Sequence, residues 1–335
     1  MQGLSVIICC CNSAQVLPET LAYIAKQITD PSIRWEVIVV DNASTDHTSA
    51  VAKDYWNTLH CSIPFTIIFE AEAGLSHART AGLKAAAYEF VLFCDDDNLL
   101  EPNYIQLGYS KLLANKNIAL LGGKGIAKLP IEKPDWFDRY AYQYAVGAQG
   151  QSSKDITFER GFVYGAGSFL RVSAYNELIQ QGFQYTLTGR KGATLLSGED
   201  NELGYSLSLL GYTIYYDEDL LFTHVLSQQR LSFSYLKKLK RGVAYSSVLL
   251  IPYVEKRKEQ LEGKRTTFVW SKKLITEFLY LLNGYVKYPF ASSDFKVDIL
   301  LDRQSRLGHI EGLLANRKML VRKEEWLVWL GDSGQ

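Results

Sequence analysis

The sequence predicts an α/β fold: a mostly parallel central sheet flanked by helices, followed by a helical C-terminal extension. Three observations predict it. Runs such as Ser5–Cys10 and Phe90–Cys94 lack polar alternation, the pattern of strands covered on both faces. Segments with apolar residues at helical spacing separate such runs over the first hundred residues, the order expected of βα units. Beyond about residue 227 the strand runs stop and the charge changes sign. Residues 1–229 hold 16 Lys and Arg against 25 Asp and Glu, whereas residues 230–335 hold 20 against 11.

The elements follow in order. Ser5–Cys10 reads as a strand and Leu17–Gln27 as a helix with Leu17, Leu21, Ile24 and Ile28 on one stripe. Glu36–Val40 is the second strand, and the cap-type residues of DNASTDHT lead into a helix near Ser49–Leu59. Phe65–Phe69 is the third strand, Gly74–Glu89 a helix rich in small residues, and Phe90–Cys94 the fourth strand. A helix near Tyr104–Asn115 precedes the strand Ile118–Gly123, and an aromatic-rich stretch, Pro134–Gly147, comes next. Phe162–Leu170 reads as a strand or bend, Ser173–Gln181 as a helix, Gly189–Gly198 as a loop, Glu199–Gly211 as a helix and Tyr212–Tyr216 as a strand. In the extension, Leu274, Ile275, Phe278, Leu281, Leu282 and Tyr285 share one helical face, for which packing against the preceding domain is the expectation.

Composition excludes several classes. A chain of 335 residues with 47% hydrophobic and 21% charged residues and only 8 Pro is neither disordered nor collagen-like. Zero net charge makes the whole chain a poor partner for nucleic acid. No run reaches the ~18–20 apolar residues of a membrane span. The uncharged start, Met1–Pro18, reads as a buried strand and its turn rather than a signal peptide, because no Lys or Arg precedes the short run Leu4–Cys11. The five cysteines, Cys9, Cys10, Cys11, Cys61 and Cys94, show no C-x-x-C spacing, which points to reduced thiols and a cytoplasmic setting.

Ligands of open α/β sheets bind outside the carboxyl ends of the strands. Here those ends carry Asn12, then Asp41-Asn42, then Asp95-Asp96-Asp97. Three consecutive carboxylates at a strand mouth repel one another and suit a hard divalent cation, Mn²⁺ or Mg²⁺. A second acidic pair, Glu199-Asp200, opens a helix, where carboxylates also serve as caps. His224 follows in DEDLLFTH.

Taken together these pieces resemble the inverting family-two glycosyltransferases, which have the GT-A fold. The resemblance rests on the opening strand with its turn Cys9-Cys10-Cys11-Asn12, on Val40-Asp41-Asn42-Ala43-Ser44-Thr45-Asp46, and on Gly74-Leu75-Ser76-His77-Ala78-Arg79-Thr80. It continues through Asp95-Asp96-Asp97, the D-x-D position, and Glu199-Asp200, the E-D position, and covers about residues 4–227. It implies a catalytic domain over 1–227, with a nucleotide-sugar half at about 1–100 and an acceptor half at about 101–227, ahead of a basic extension at 228–335. The implied reaction moves a sugar from a nucleotide diphosphate sugar, most often a UDP-sugar, to an acceptor hydroxyl with inversion. By position, Asp41 contacts the base, with Cys10 and Asn12 beside the nucleotide and Arg79 facing nucleotide or diphosphate. Asp95 and Asp97 serve ribose and metal with Asp96 between them, His224 is a further metal ligand, and Asp200 is the general base. Asn42 stands where the family pattern has a second Asp, and Thr80 where it has Asn.

On the acceptor side, Glu199 and Trp136 are candidates. The aromatic stretch around Trp136, Phe137, Tyr140, Tyr142 and Tyr144 suits stacking on sugar rings and suits covering a domain equally well. The expected acceptor is a glycan or lipid-linked saccharide in bacterial cell-surface polysaccharide synthesis, and the basic extension suits an anionic cytoplasmic leaflet. A sugar nucleotidyltransferase fits less well, since Cys9–Ala14 has neither Gly nor Arg for a triphosphate loop. The Rossmann fingerprint and the P-loop are absent, because Gly165-Ala166-Gly167 comes late and Gly122-Gly123-Lys124-Gly125 lacks the spacing. A non-catalytic glycan- or nucleotide-sugar-binding protein on the same fold stays open at this point.

Overall fold

The computed structural model describes residues 1–187, 195–263, 268–322, 327 and 329. The first part of the expected loop at 189–198 therefore lies outside the described residues.

The chain begins as expected, with β1 (Leu4–Cys10), α1 (Leu17–Ala25), β2 (Trp35–Asn42), α2 (Thr48–Thr58), β3 (Phe65–Glu70), α3 (Leu75–Ala85) and β4 (Phe90–Asp95). It continues through β5 (Asn98–Leu100), α4 (Tyr104–Ala114), β6 (Ile118–Lys128), the single turn α5 (Phe137–Tyr140), β7 (Lys154–Asp155), β8 (Ser168–Arg171), α6 (Val172–Gln180), α7 (Glu199–Leu209) and β9 (Thr213–Val225). Among the described residues, five helices follow a short 3-10 turn at Gln228–Leu231: α8 (Phe233–Leu249), α9 (Ile251–Glu262), α10 (Trp270–Lys287), α11 (Ser293–Ala315) and α12 (Arg317–Val321).

One mixed sheet runs through the molecule in the order β3-β2-β1-β4-β8-β6-β9-β5, with β7 on β9. β3, β2, β1 and β4 are parallel, whereas β8 runs antiparallel to both β4 and β6. The doubly apolar strands fill two cores by simple alternation. Leu4, Val6, Ile8 and Cys10 of β1 face one side with Val37 and Val39 of β2, and Ile7, Ile38 and Val40 face the other. In register, Cys9 lies opposite Asp95 and Cys10 opposite Asp41, so the carboxyl ends of three strands finish at one rim.

Four differences from the sequence expectation have local causes. Ile28 is exposed, because α1 ends at Ala25 and its stripe stops at Ile24. The small-residue helix ends at Ala85 rather than Glu89, because the chain there turns extended and joins the sheet side. The Ala87 N–H donates to Glu36 Oε1 at 2.9 Å and the Glu89 N–H to the Met1 carbonyl at 2.8 Å, a tertiary gain that overrides alanine's helix preference. β9 extends to Val225 through the acids after Tyr216, so His224 lies within the strand and not after it. The β6–β9 ladder shifts register between Gly122 and Lys124, and buried Asp217 is neutralised there by Lys111 Nζ at 2.8 Å. Finally, β5 is only three residues long, below the length at which periodicity is visible.

The extension is fastened to the sheet domain and does not stand apart. Leu249, Leu250 and Tyr253 share a core with Leu187, Tyr205 and Leu209 of the α7 region. Buried Glu202 accepts from the Thr186 and Leu187 N–H groups and from the Tyr253 hydroxyl at 3.0 Å. α8 and α11 cross closely at Gly308, where a Cβ would sit 2.1 Å from the Arg241 carbonyl oxygen. The apolar face expected on α10 does form a stripe, but most of it faces solvent. Of its six residues only Leu281 is buried, while Ile275, Phe278, Leu282 and Tyr285 are exposed.

Candidate active site

The strand rim opens into a cavity of about 550 Å³. Its floor is Cys9, Cys10 and Cys11 with Asp95, Asp96 and Asp97, and across it stand Gly198, Glu199 and Asp200 at the start of α7. Residues far apart in sequence thus converge, as the position of the motifs at strand ends requires.

The acidic triplet is held tightly. The Asp95 N–H donates to Asn98 Oδ1 at 3.2 Å, Asn98 Nδ2 donates to Asp97 Oδ1 at 3.1 Å, and Asn98 itself is fully buried. The Ser13 hydroxyl donates to Asp96, whose backbone carbonyl accepts from Thr20 Oγ1 at 2.6 Å. Loss of water, together with the charges of Asp97 and Asp95, pushes the Asp96 carboxyl above the usual carboxylate range.

β5 pairs antiparallel with β9, Asn98 opposite His224, which brings that histidine to the triplet. His224 Nε2 lies 3.2 Å from Asp97 Oδ2, and Nδ1 lies 2.6 Å from the Tyr144 carbonyl. A carbonyl only accepts, so Nδ1 carries a proton and donates to it, and Nε2 faces the cavity side at Asp97. Such a carbonyl anchor is the usual second layer of a metal-binding histidine. Arg230 Nη1 donates to Asp97 Oδ2 at 3.0 Å and lies 3.2 Å from His224 Nε2. A guanidinium therefore occupies the cationic place between the two side chains. Among the described residues no group of three His, Cys, Asp or Glu side chains is arranged around a metal position. Sequence reading missed Arg230, whose only signal was its place six residues after His224.

Asp200 Oδ2 accepts from the Gly165 N–H at 3.1 Å, and Oδ1 from the Asn201 N–H at 2.9 Å. Gly198 begins the turn into α7 with φ +122, a conformation that side chains resist. Glu199 and Arg79 are both buried and face each other at 3.9 Å, with the Arg79 guanidinium 5.1 Å from the centre of the Phe93 ring. Burial opposes the charge of Arg79, yet Glu199 and Asp95 hold its pKa above the ordinary value. Both residues line the cavity, and the pair ties α3 to α7.

Asn12 and Asp41 lie outside the lining. Asn12 adopts φ +56, and its Oδ1 accepts from the Thr45 N–H at 2.8 Å, joining the turns after β1 and β2. Asp41 accepts from the Ser49 hydroxyl and from the Ser44 N–H at 3.2 Å. Asn42, which departs from the family pattern, does line the cavity. Its Nδ2 donates to the Glu70 and Glu72 carbonyls at 3.2 and 2.7 Å, and its Oδ1 accepts from the Gly74 N–H at 2.8 Å. A carboxylate could not donate to those carbonyls, which gives the amide a local reason. Trp136 is not in the lining either. It packs against Phe137 and Tyr144, and Tyr142 and Tyr144 reach the cavity in its place. Burial pushes the Cys9 thiol up to about 12 and Cys10 higher, so both remain neutral wall groups.

The family model for glycosyl transferase family 2 matches residues 5–179, more than half of the 335-residue chain. The chain belongs to glycosyl transferase family 2. The poly(ribitol-phosphate) β-N-acetylglucosaminyltransferase TarS of Staphylococcus aureus is 36% identical to this family-two member over 100 residues, 30% of this chain and 17% of TarS. The chondroitin synthase of Escherichia coli is 32% identical over 123 residues, 36% of this chain and 17% of the synthase. Each match thus covers about a sixth of the relative. The crystal structure of TarS residues 1–349 with UDP is similar over 95% of this chain and 92% of that one, with a TM-score of 0.51 at 16% identity. The mannosyltransferase PcManGT from Pyrobaculum calidifontis, in complex with GDP-Man and Mn²⁺, gives 0.56 at 15% identity over 93% and 87% of the two chains. This family-two chain has the GT-A fold with a helical C-terminal region.

Proposed function

We propose that this glycosyltransferase moves a sugar from a nucleotide diphosphate sugar, with UDP as the carrier, to an acceptor hydroxyl with inversion. The observation that carries the reading is that the Asp95–Asp97 cluster and Asp200 open into one cavity from separate elements. The solved structures of similar fold with UDP and with GDP-Man and Mn²⁺ support a nucleotide-sugar donor and a divalent cation. Asp97, Asp95 and His224 through Nε2 are the donors that would hold Mn²⁺ or Mg²⁺, in the place that the Arg230 guanidinium takes beside Asp97 and His224 in this structure, so Arg230 would have to move aside for the ion. When bound, the cation neutralises charge on the departing diphosphate. The chain's own residues do the rest. Asp200, fixed by the Gly165 and Asn201 N–H groups, takes the acceptor proton while the acceptor oxygen attacks the anomeric carbon. Arg79 holds Glu199 beside that base, and Arg230 supplies positive charge at Asp97. Asn12, Asp41 and Cys10 shape the loops and wall on the nucleotide side.

Calorimetric titration with UDP and GDP, each with Mn²⁺ and again with chelator, tests the donor site. UDP binding that needs both Mn²⁺ and Asp97, and is lost in Asp97→Asn, is the expected result. Absence of binding by either nucleotide would refute the assignment.

The acceptor is proposed to be a glycan or lipid-linked saccharide of bacterial cell-surface polysaccharide synthesis, presented at the cytoplasmic leaflet. The α10 stripe supports this: Ile275, Leu279, Leu282 and Val286 are 58–67% exposed on one helical face, and Lys272 and Lys287 are exposed at its two ends. An apolar helix face flanked by lysines, in a region with nine more basic than acidic residues, complements an anionic lipid surface.

A further inference from the structure

The wall of the cavity beside Asp200 carries a cation for which the donor reading has no use. Arg160 lies in the segment between β7 and β8 and lines the cavity. Its guanidinium is stacked between two rings, 4.5 Å from the centroids of both Phe162 and Tyr164. Its Nε has no hydrogen-bond partner, and among the described residues it forms no ion pair. The adjacent Glu159 is engaged by Lys154 at 2.7 Å. A half-buried arginine with aromatic rings beside it is held in position, and its buried Nε–H is left without an acceptor among the described residues.

Tyr164 belongs to the same place. It is 6% exposed and lines the cavity, and among the described residues its hydroxyl has only the Arg160 guanidinium beside it. The buried Oε1 of Gln143, which also lines the cavity, lacks a donor, a part that a hydroxyl of the acceptor can fill and an anion cannot. Buried polar groups are rarely left unsatisfied without a ligand or water to complete them. The backbone fixes how close this group lies to the chemistry, because Gly165, next to Tyr164, donates its N–H to Asp200 Oδ2.

We propose that Arg160, with the Tyr164 hydroxyl, forms an acceptor subsite for an anionic group, a phosphate or a carboxylate carried beside the hydroxyl that is glycosylated. The inference rests on the assignment of Asp200 as base, since that assignment makes this the acceptor side. A guanidinium binds both anions through paired charge-assisted hydrogen bonds. Bound there, the anion fixes the acceptor near Asp200, and the exposed Tyr142 ring at the cavity edge offers a surface for the rest of the sugar or polyol.

The test is binding of small probes to the full chain in the presence of UDP and Mn²⁺, followed by calorimetry or ligand-observed NMR. Glucose 6-phosphate and methyl β-glucuronide carry the two anions, and methyl β-glucoside is the neutral counterpart. Wild type is expected to bind at least one anionic probe about tenfold or more tighter than the neutral one. Arg160→Gln should erase that preference, Arg160→Lys should keep part of it, and UDP affinity should stay unchanged in both. Comparison of the two anionic probes separates a phosphate-bearing acceptor from a carboxylate-bearing one. Equal binding of charged and neutral probes, no binding of any, or a preference that survives Arg160→Gln would overturn the subsite. Loss of UDP binding in wild type would instead refute the donor site, and the probe preference measured without UDP would still decide the role of Arg160.

Discussion

Single side chains at this site divide into those that meet the reactants and those that hold the rim in shape. Asp200 is proposed as one of the first kind, and on that assignment Asp200→Asn is expected to lower sugar transfer by ~10²–10⁴-fold while UDP affinity measured by calorimetry is unchanged. Asn42 belongs to the second. Asn42→Asp would replace two donated hydrogen bonds with a carboxylate facing the Glu70 and Glu72 carbonyls, and should lower stability by about 3 kcal/mol in denaturant unfolding at neutral pH. The carboxylates were legible in the sequence because charge at a strand mouth is rare enough to be noticed. Arg230 and Arg160 were not, because an arginine between loops is ordinary until a fold shows what it faces. Asn12 and Trp136 were legible as residues worth naming but not in their contacts, since a bend and an aromatic cluster decide those.

Among the elements, the strand-helix alternation of the first hundred residues was readable because β1, β2 and β4 are runs buried on both faces, and the edge strand β3, although only partly buried, keeps an apolar run. β5 and the second half of β9 were not. Three residues carry no period, and acids within a strand look like its end until Lys111 and a register shift accommodate them. In the extension, α10 is joined to α11 by a buried charge cluster. Glu277 is fully buried and lies 2.8 Å from Lys273 Nζ, 3.0 Å from Arg306 Nη1 and 3.2 Å from His309 Nδ1. Burial works against ionisation here, but hydrogen bonds from His309, Lys273 and Arg306 hold the Glu277 carboxyl well below the usual range. Its contribution to stability is therefore present above the unfolded-state value of ~4.3 and is lost as pH falls below it toward the lower folded-state value. Glu277→Gln should destabilise the chain by roughly 1.5–3 kcal/mol at pH 7, because Lys273 and Arg306 lose the opposite charge they face and His309 loses a charged acceptor. Between about pH 5 and pH 3 the thermal midpoint of wild type should fall more steeply than that of the variant, which differential scanning calorimetry would show.

At the scale of the whole molecule, charge and apolar surface are distributed unevenly although the net charge is zero. Among the described residues no helix is long and apolar enough to cross a membrane, so the α10 stripe is a surface feature. Sedimentation with vesicles of anionic lipid is expected to retain the wild-type chain at low salt and to release it as ionic strength rises. Leu279 and Leu282 are 60% and 58% exposed, so replacing both with Glu should abolish vesicle binding and leave the unfolding temperature unchanged. Retention of the double variant would refute membrane contact by this face. The extension also has a less evident part in the site. Val243, Ser247 and Leu250, from α8 and the residue after it, line the same cavity as Asp95 and Asp200. A chain cut at the end of β9 would resemble a vessel with one side removed. On the proposed reaction, water would reach the sugar as easily as the acceptor does, and such a fragment would lose its donor to hydrolysis.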